Sequence, residues 1–573
     1  MREIVKRFEL ELGFLVFVIL ITFVFTYPVV LNPSRIVFGF SGDNFGNIWY
    51  FWWQKFASVK GLDVTFTRLF NTPEGVKIST SLSEVVWQIP GLILSRIFNE
   101  ILAFNFLILF GFVSSFVTFY FLTLYLTKSK HASFVSAVAY TFSPYHYWQS
   151  LSHLSLSLIQ WLPLFVLSLF YFDQKKNLAS TIFLIGSYGL VLYSSFYYGF
   201  FVGLITILFF VTKFILNLRD YLRLRILSLL ILFVIGAFLV IYPLLENLSR
   251  VTESNSGVKE AFGRKLDELV ALSARPWDYL IFPPNHPVFG RFNRKIYDFI
   301  GSKGSDFKVR SAYLPERVVF LGFTNLVLAL TGLIYYLKQR NRTVLIISVL
   351  LIGSFIISLP PYFSIKGITF YTPSFLFYKF LPLVRVYVRF GILVSLFTFL
   401  LSAFGFKALL QKTRVVKVYF LVVLVTGLVL FEFWPQAGAY TDLRRIPPVY
   451  EWLGQQTGDL VILEYPKAYD LQTALLYQRL HGKKIWNMPS SEPRYKGWEE
   501  VEDLTNPAAA ARLKVDGVSY VIFHLIDPAP NPYDDWRFFR AAKYPDSKEN
   551  ELFTAAGLSL VREFPEALVY KVN

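Results

Sequence analysis

Apolar runs long enough to cross a bilayer, about 20 residues each, recur along this chain from Leu12 to Trp434. Backbone placed in hydrocarbon must satisfy its own N–H and C=O groups, so runs of this length fold as helices. They predict about eleven membrane spans, near 12–31, 101–126, 132–148, 154–172, 178–196, 197–216, 226–246, 317–337, 343–362, 386–406 and 418–434. With 54% hydrophobic and 17% charged residues, the 573-residue chain is too apolar for a soluble protein. The expected fold class is an all-α polytopic membrane protein with a C-terminal extracytoplasmic α/β domain.

A net charge of +17 would point to nucleic acid in a soluble protein. Here the basic residues gather in short loops between spans, the pattern of cytoplasmic connections, and no nucleic-acid partner is expected. Lys128 and Lys130 lie in one such loop, Lys175 and Lys176 in the next, then Arg219, Arg223 and Arg225. Lys338, Arg340 and Arg342 follow, then Lys412, Arg414 and Lys417, while Arg2, Lys6 and Arg7 precede the first span. The alternate short loops, around Ser150 and Ser195, carry no Lys or Arg. This asymmetry predicts the cell membrane as the location, with the N-terminus inside and the C-terminal domain outside. The first run exceeds a signal-peptide core and no small-residue cleavage site follows it, so no cleaved leader is expected. The absence of cysteine excludes disulfides, thiolate catalysis and zinc–thiolate sites.

Residues 178–212 form an uncharged run too long for one crossing, and SSFYYG (Ser194–Gly199) supplies a turn that divides it. The run Val85–Leu94, interrupted by Pro90 and Gly91, is too short to span and reads as an interfacial or re-entrant helix. The domain boundaries that follow are 1–435 for the membrane domain, with outer loops 32–100 and 247–316, and 436–573 for the soluble domain. In the latter, strands are expected at Leu460–Tyr465, Lys484–Met488, Tyr520–Leu525, Ser559–Glu563 and Leu568–Val572. Helices are expected at Val449–Gln456, Leu471–Leu480 and Pro507–Val515, and the last two strands read as an antiparallel hairpin. Such a domain serves either as a lid or acceptor platform, or as a structural cap.

The residues with most chemical content sit in SGDNFGNIWYFWWQ, Ser41–Gln54. Asp43, ahead of Trp49, Tyr50 and Trp52, can act as a general base toward a hydroxyl-rich ligand that stacks on the rings. The competing structural roles are a turn for Asp43 and membrane-interface anchoring for the rings. Glu84, at the start of the Val85 helix, is a candidate helper or else a helix-terminal charge. In SPYHYWQSLSH (Ser143–His153), His146 and His153 are candidates to bind phosphate or orient Asp43, or else pack as hydrogen-bonded structural residues. In LPLVRVYVRFG (Leu381–Gly391), Arg385 and Arg389 lie four residues apart and form a candidate phosphate clamp at a helix N-terminus. Snorkelling to head groups is the alternative. The basic loop 247–316 suits an anionic lipid-linked substrate or an anionic membrane surface, and its stretch SARPWDYLIFPPNHP offers Trp277 as a further contact.

These segments, with NTPEGVKIST (Asn71–Thr80), resemble the GT-C superfamily of membrane glycosyltransferases. That group includes protein mannosyltransferases, lipid A aminoarabinose transferases, the RgtA/B/C/D-like enzymes and a YfhO-like bacterial branch. The resemblance implies a GT-C-like membrane domain and a polyprenyl-phosphate-linked sugar donor. It also implies inverting transfer to an envelope lipid, glycan or protein, with Asp43 as the first-loop catalytic acid. Metal-dependent relatives often pair two acidic residues, whereas Asn44 and Phe45 follow Asp43. No cofactor is therefore expected, and a divalent metal is not favoured. The rival readings are a flippase and a non-catalytic protein that binds lipid-linked glycan.

Overall fold

The structure is a computed structural model that describes residues 2–78, 84–253, 266–301, 316–365, 368–380, 384, 386–435, 439–466, 471–487, 498–526 and 544–573. Helices dominate the first three quarters. Among the described residues four helices, Glu100–Thr127, Phe196–Tyr221, Leu224–Asn247 and Tyr387–Gln411, are long and apolar enough to cross a membrane. The uncharged run 178–212 divides into the helices Leu178–Leu192 and Phe196–Tyr221. The stretch 132–148 does not run straight: a helix Lys130–Thr141 ends, Ser143 caps a new one, and Pro144 opens Pro144–Ser152. Proline lacks the N–H that a continuing helix needs but fits a first turn.

The most enclosed helix is Gly391–Gln411, apolar on all sides and packed closely against Phe323–Lys338. At their crossing, a Cβ on Gly405 would lie 1.8 Å from the Leu328 carbonyl oxygen, and one on Gly332 would lie 2.4 Å from that of Leu401. Two glycines thus let the backbones touch, the small-residue packing that holds helices together where no hydrophobic force acts between them.

The C-terminal domain contains a five-stranded sheet. Val461–Tyr465 is flanked in parallel by Lys484–Ile485 and Val518–His524. Ala567–Val572 then pairs antiparallel with Val518–His524, and Leu558–Glu563 with Ala567–Val572. Alternating residues of these strands face two apolar layers. Ile462, Ile522 and Val569 pack with Tyr450, Leu453 and Tyr477. Leu463, Val521 and Leu568 pack with Leu504, Leu513 and Phe553.

The two parts are stitched together at the helix Asp43–Lys60. One face, Phe45, Ile48 and Phe51, enters the main helical core. The other, Trp49, Trp53 and Ala57 at a spacing of four, enters the core of the C-terminal sheet domain with Ala474 and Tyr477. Trp49 Nε1 donates to Gln478 Oε1 (2.8 Å), and the strand Ile36–Phe38 pairs antiparallel with Tyr440–Asp442. Buried Arg479 forms an ion pair with Glu100 across the same seam.

Candidate active site

The loop entering the Asp43 helix is held by one buried amide. Asn105 accepts from Phe38 N (3.1 Å) and donates to the carbonyls of Pro33 and Ile36 (both 2.7 Å). Beyond it the chain passes close over the helix Pro144–Ser152. Gly39 has φ +94°, and a Cβ there would lie 2.1 Å from the Leu151 carbonyl oxygen. Only glycine fits. Asn44 Nδ2 then donates to the Ser150 carbonyl (3.1 Å). These contacts bring Asp43, first residue of its helix, beside His153, the residue that ends the neighbouring one.

Four charged side chains from four stretches of chain meet there. His153 places Nδ1 2.9 Å from Asp43 Oδ2 and Nε2 3.2 Å from Glu316 Oε1. Arg389 donates to Glu316 through Nε (3.2 Å to Oε2) and a terminal nitrogen (2.7 Å to Oε1), a two-pronged charge-assisted contact. Gln149 Nε2 adds a long contact to Glu316 Oε2 at 3.4 Å, and the Arg389 guanidinium stands 4.6 Å from the centre of the Tyr197 ring. The order Arg389–Glu316–His153–Asp43 alternates in charge. The Asp43 end is open, with its side chain 70% exposed, whereas Glu316 and Arg389 are 17% and 9% exposed.

Burial opposes charge on His153, but the carboxylates of Asp43 and Glu316 outweigh it and push the ring up to about 9. At neutral pH it is an imidazolium that donates to both. Burial likewise opposes the charge of Glu316, and Arg389 with His153 holds its carboxyl well below the usual range. Enough protein surrounds exposed Asp43 to thin its hydration, yet His153 and then Arg389 bring its carboxyl below the ordinary value. The net result is an available carboxylate. Glu84 is different. Burial, then the charge of Asp43, pushes it up to about 7 against hydrogen bonds with Ser155 and Gln88. Beside an ionised Asp43 therefore lies a carboxyl whose proton is mobile near neutrality.

The structure gathers Asp43, Glu84, His153 and Arg389 into one site. Arg385 lies outside the described residues. His146 does not join the group: it is buried against Phe112, and its two ring nitrogens each lie 2.7 Å from a backbone carbonyl, of Thr141 and of Ser157. It has no nitrogen left for a phosphate. Arg389 is present but its fork is taken by Glu316, so it is not a free clamp. Trp49 is buried in the domain seam, and Trp52 stacks on Phe56 at 4.9 Å beside it. Trp277 packs with Tyr297 and Ile300. Tyr50 lies close enough for Glu84 to add to the burial that raises its phenol pKa.

Glu316 was not anticipated. Its one signal is position: an acid in LPER, Leu314–Arg317, immediately before an apolar run. Among the described residues no three His, Asp or Glu side chains converge so as to hold a metal ion; His153 has both nitrogens engaged by carboxylates.

No family model matches the sequence, and no curated protein matches it. In structure the chain is similar to the oligosaccharyltransferase of Archaeoglobus fulgidus in its apo form. The TM-score is 0.53 at 14% identity, over 90% of this chain and 69% of that one. It is also similar to the archaeal oligosaccharyltransferase AglB of that organism in complex with an inhibitory peptide and a dolichol-phosphate (TM-score 0.53, 12% identity, 91% and 70% covered). A third match is the A. fulgidus enzyme in complex with zinc and sulfate (TM-score 0.52, 12% identity, 89% and 68% covered). At such identities the likeness shows the fold alone, an architecture shared with these archaeal oligosaccharyltransferase structures.

Proposed function

We propose that the chain is a membrane glycosyltransferase that moves a sugar from a polyprenyl-phosphate-linked donor to an envelope lipid, glycan or protein. The observation that carries this reading is Asp43: an ionised, 70% exposed carboxylate whose far side is fixed by His153, itself fixed by Glu316. A base held from behind and open in front is arranged to meet an acceptor hydroxyl. Support for a lipid-linked donor comes from the dolichol-phosphate bound by the structurally similar archaeal enzyme. In this reading about eleven helices cross the cell membrane, and Asp43 and the C-terminal domain lie on its outer side.

In the proposed step, the acceptor hydroxyl hydrogen-bonds to Asp43 and its oxygen attacks the anomeric carbon from the face opposite the carrier. The O–H proton passes to Asp43 as the new glycosidic bond forms. The bond to the phosphate oxygen breaks, and the carrier phosphate leaves with the electron pair. The anomeric configuration inverts. Glu84, poised near pH 7, is placed to take the proton onward. Arg389 acts through Glu316, holding His153 and so Asp43.

The decisive experiment is sugar transfer in proteoliposomes supplied with polyprenyl-phosphate sugars and an envelope lipid extract, wild type beside Asp43→Asn. A general base contributes roughly 10²–10⁴-fold, so the variant should lose transfer while still binding donor. Transfer unchanged in Asp43→Asn would sink the base assignment. A second reading, a non-catalytic binder or flippase for lipid-linked glycan, is favoured by the mutual neutralisation of the four charges. It predicts donor binding with no transfer by wild type.

A further inference from the structure

A second charged cluster lies one residue along the chain from Glu316. Arg317, 2% exposed, donates through Nε to Asp278 Oδ2 and through a terminal nitrogen to Oδ1, both at 2.9 Å. Asp278 Oδ1 also accepts from Tyr297 OH (2.8 Å), and Oδ2 from the Arg275 backbone N–H (2.7 Å). Each carboxylate oxygen thus receives two donors, and both prongs of Arg317 close on this one carboxylate.

The Arg275 side chain is left over. It is partly buried, and among the described residues its guanidinium donates to the Ser273 carbonyl (2.8 Å). Among the described residues no carboxylate pairs with it. Among the described residues two guanidiniums thus share one carboxylate. Burial, then repulsion by Arg317, lowers the Arg275 pKa to about 10 despite Asp278. The backbone that carries it is rigidly placed: Ala274 N donates to Ser358 O (2.9 Å), and Leu272 O accepts from Val388 N (3.0 Å), next to Arg389. A cation kept unpaired and desolvated beside another cation is destabilising to the empty protein. That arrangement is suited to an anion that arrives later, and the Arg fork matches the oxygens of a phosphate.

We infer that Arg275, backed by Arg317, is a phosphate-binding site that receives the phosphate group of the lipid-linked donor. The assignment rests on the proposed reading of the chain as a transferase using such a donor. It gives the carrier phosphate a place that Arg389, already occupied by Glu316, does not.

The test uses full-length protein in nanodiscs of neutral phosphatidylcholine, with polyprenyl monophosphate as the binding probe. Wild type is compared with Arg275→Gln and Arg275→Lys, and thermal midpoints are recorded without probe. The expected result is binding by wild type, tenfold or greater weakening in Arg275→Gln and a smaller loss in Arg275→Lys. The probe-free midpoint of Arg275→Gln should equal or exceed that of wild type, because removing the cation relieves repulsion from Arg317. Inorganic phosphate should compete only weakly, and nanodiscs containing phosphatidylglycerol should not block the probe. Equal binding by wild type and Arg275→Gln would overturn the site while leaving the transferase reading intact. No binding by wild type would overturn both. Block by phosphatidylglycerol would reassign the site to a bilayer phospholipid. A lowered midpoint together with lost binding would make Arg275 a structural residue.

Discussion

Replacing Glu316 by Gln tests the charged chain at its centre. The substitution keeps the side-chain volume but removes the carboxylate that takes both prongs of Arg389, at 3.2 and 2.7 Å, and one nitrogen of His153 at 3.2 Å. Arg389 is only 9% exposed, so water cannot replace the lost partner. Breaking a buried pair from one side costs about 3–5 kcal/mol. A second term adds to it. Lifting His153 from an ordinary 6.5 to about 9 corresponds to roughly 3 kcal/mol shared between its two carboxylate partners, and Glu316 is one of them. The sign follows from linkage: a raised pKa stabilises fully below the unfolded value and the contribution fades as pH rises through about 9. Glu316→Gln should therefore destabilise by about 5 kcal/mol at pH 7, and the gap to wild type should narrow at pH 10. The assay is denaturation of the protein in nanodiscs across that pH range, with Arg389→Met and the double variant completing a cycle. The double variant should recover at least about 2 kcal/mol relative to the sum of the singles. Strict additivity, or a gap that widens with pH, would refute the geometry.

Transfer should rise with pH through about 7 as Glu84 ionises, and Glu84→Gln should flatten that limb; a limb unchanged in the variant would remove Glu84 from the proton path. Trp49→Phe removes the indole N–H that reaches Gln478 and should cost about 1 kcal/mol, measured as faster proteolysis of the C-terminal domain. A stacking role for Trp49 would instead raise KM with stability unchanged. Gly405→Val places atoms where a Cβ already lies 1.8 Å from a carbonyl oxygen, so folded yield should collapse. Gly427→Ala, with nothing within 4 Å of its Cβ, should be silent.

What the sequence made legible was periodic and local. Four of the five expected strands of the C-terminal domain coincide with observed ones, such as Leu460–Tyr465 with Val461–Tyr465 and Tyr520–Leu525 with Val518–His524, whereas Lys484–Met488 shortens to Lys484–Ile485, with Met488 outside the described residues. Alternating apolar residues bounded by turn residues mark a strand wherever it ends up. Asp43 and His153 stood out because polar residues are conspicuous beside apolar runs. What pairs with them was not visible. Glu316 is separated from His153 by 163 positions and from Arg389 by 73, and no local pattern encodes such a meeting. The same blindness made Arg389 read as a free phosphate clamp, since a lone arginine at a helix start looks the same with or without a carboxylate facing it. His146 misled for the opposite reason. Its ligands are backbone carbonyls, which every residue has.

Glu316 and Arg317 are neighbours in the chain yet belong to different ion clusters. Consecutive Cα atoms are held about 3.8 Å apart, so a shift of the backbone at one of these residues moves the other as well. Whatever settles the Arg317 cluster also settles the backbone from which Glu316 grips His153 and, through it, Asp43. The two clusters are geared together by a single peptide bond. A substitution that unseats Arg317 from Asp278 is therefore expected to loosen the contact of Glu316 with His153 as well.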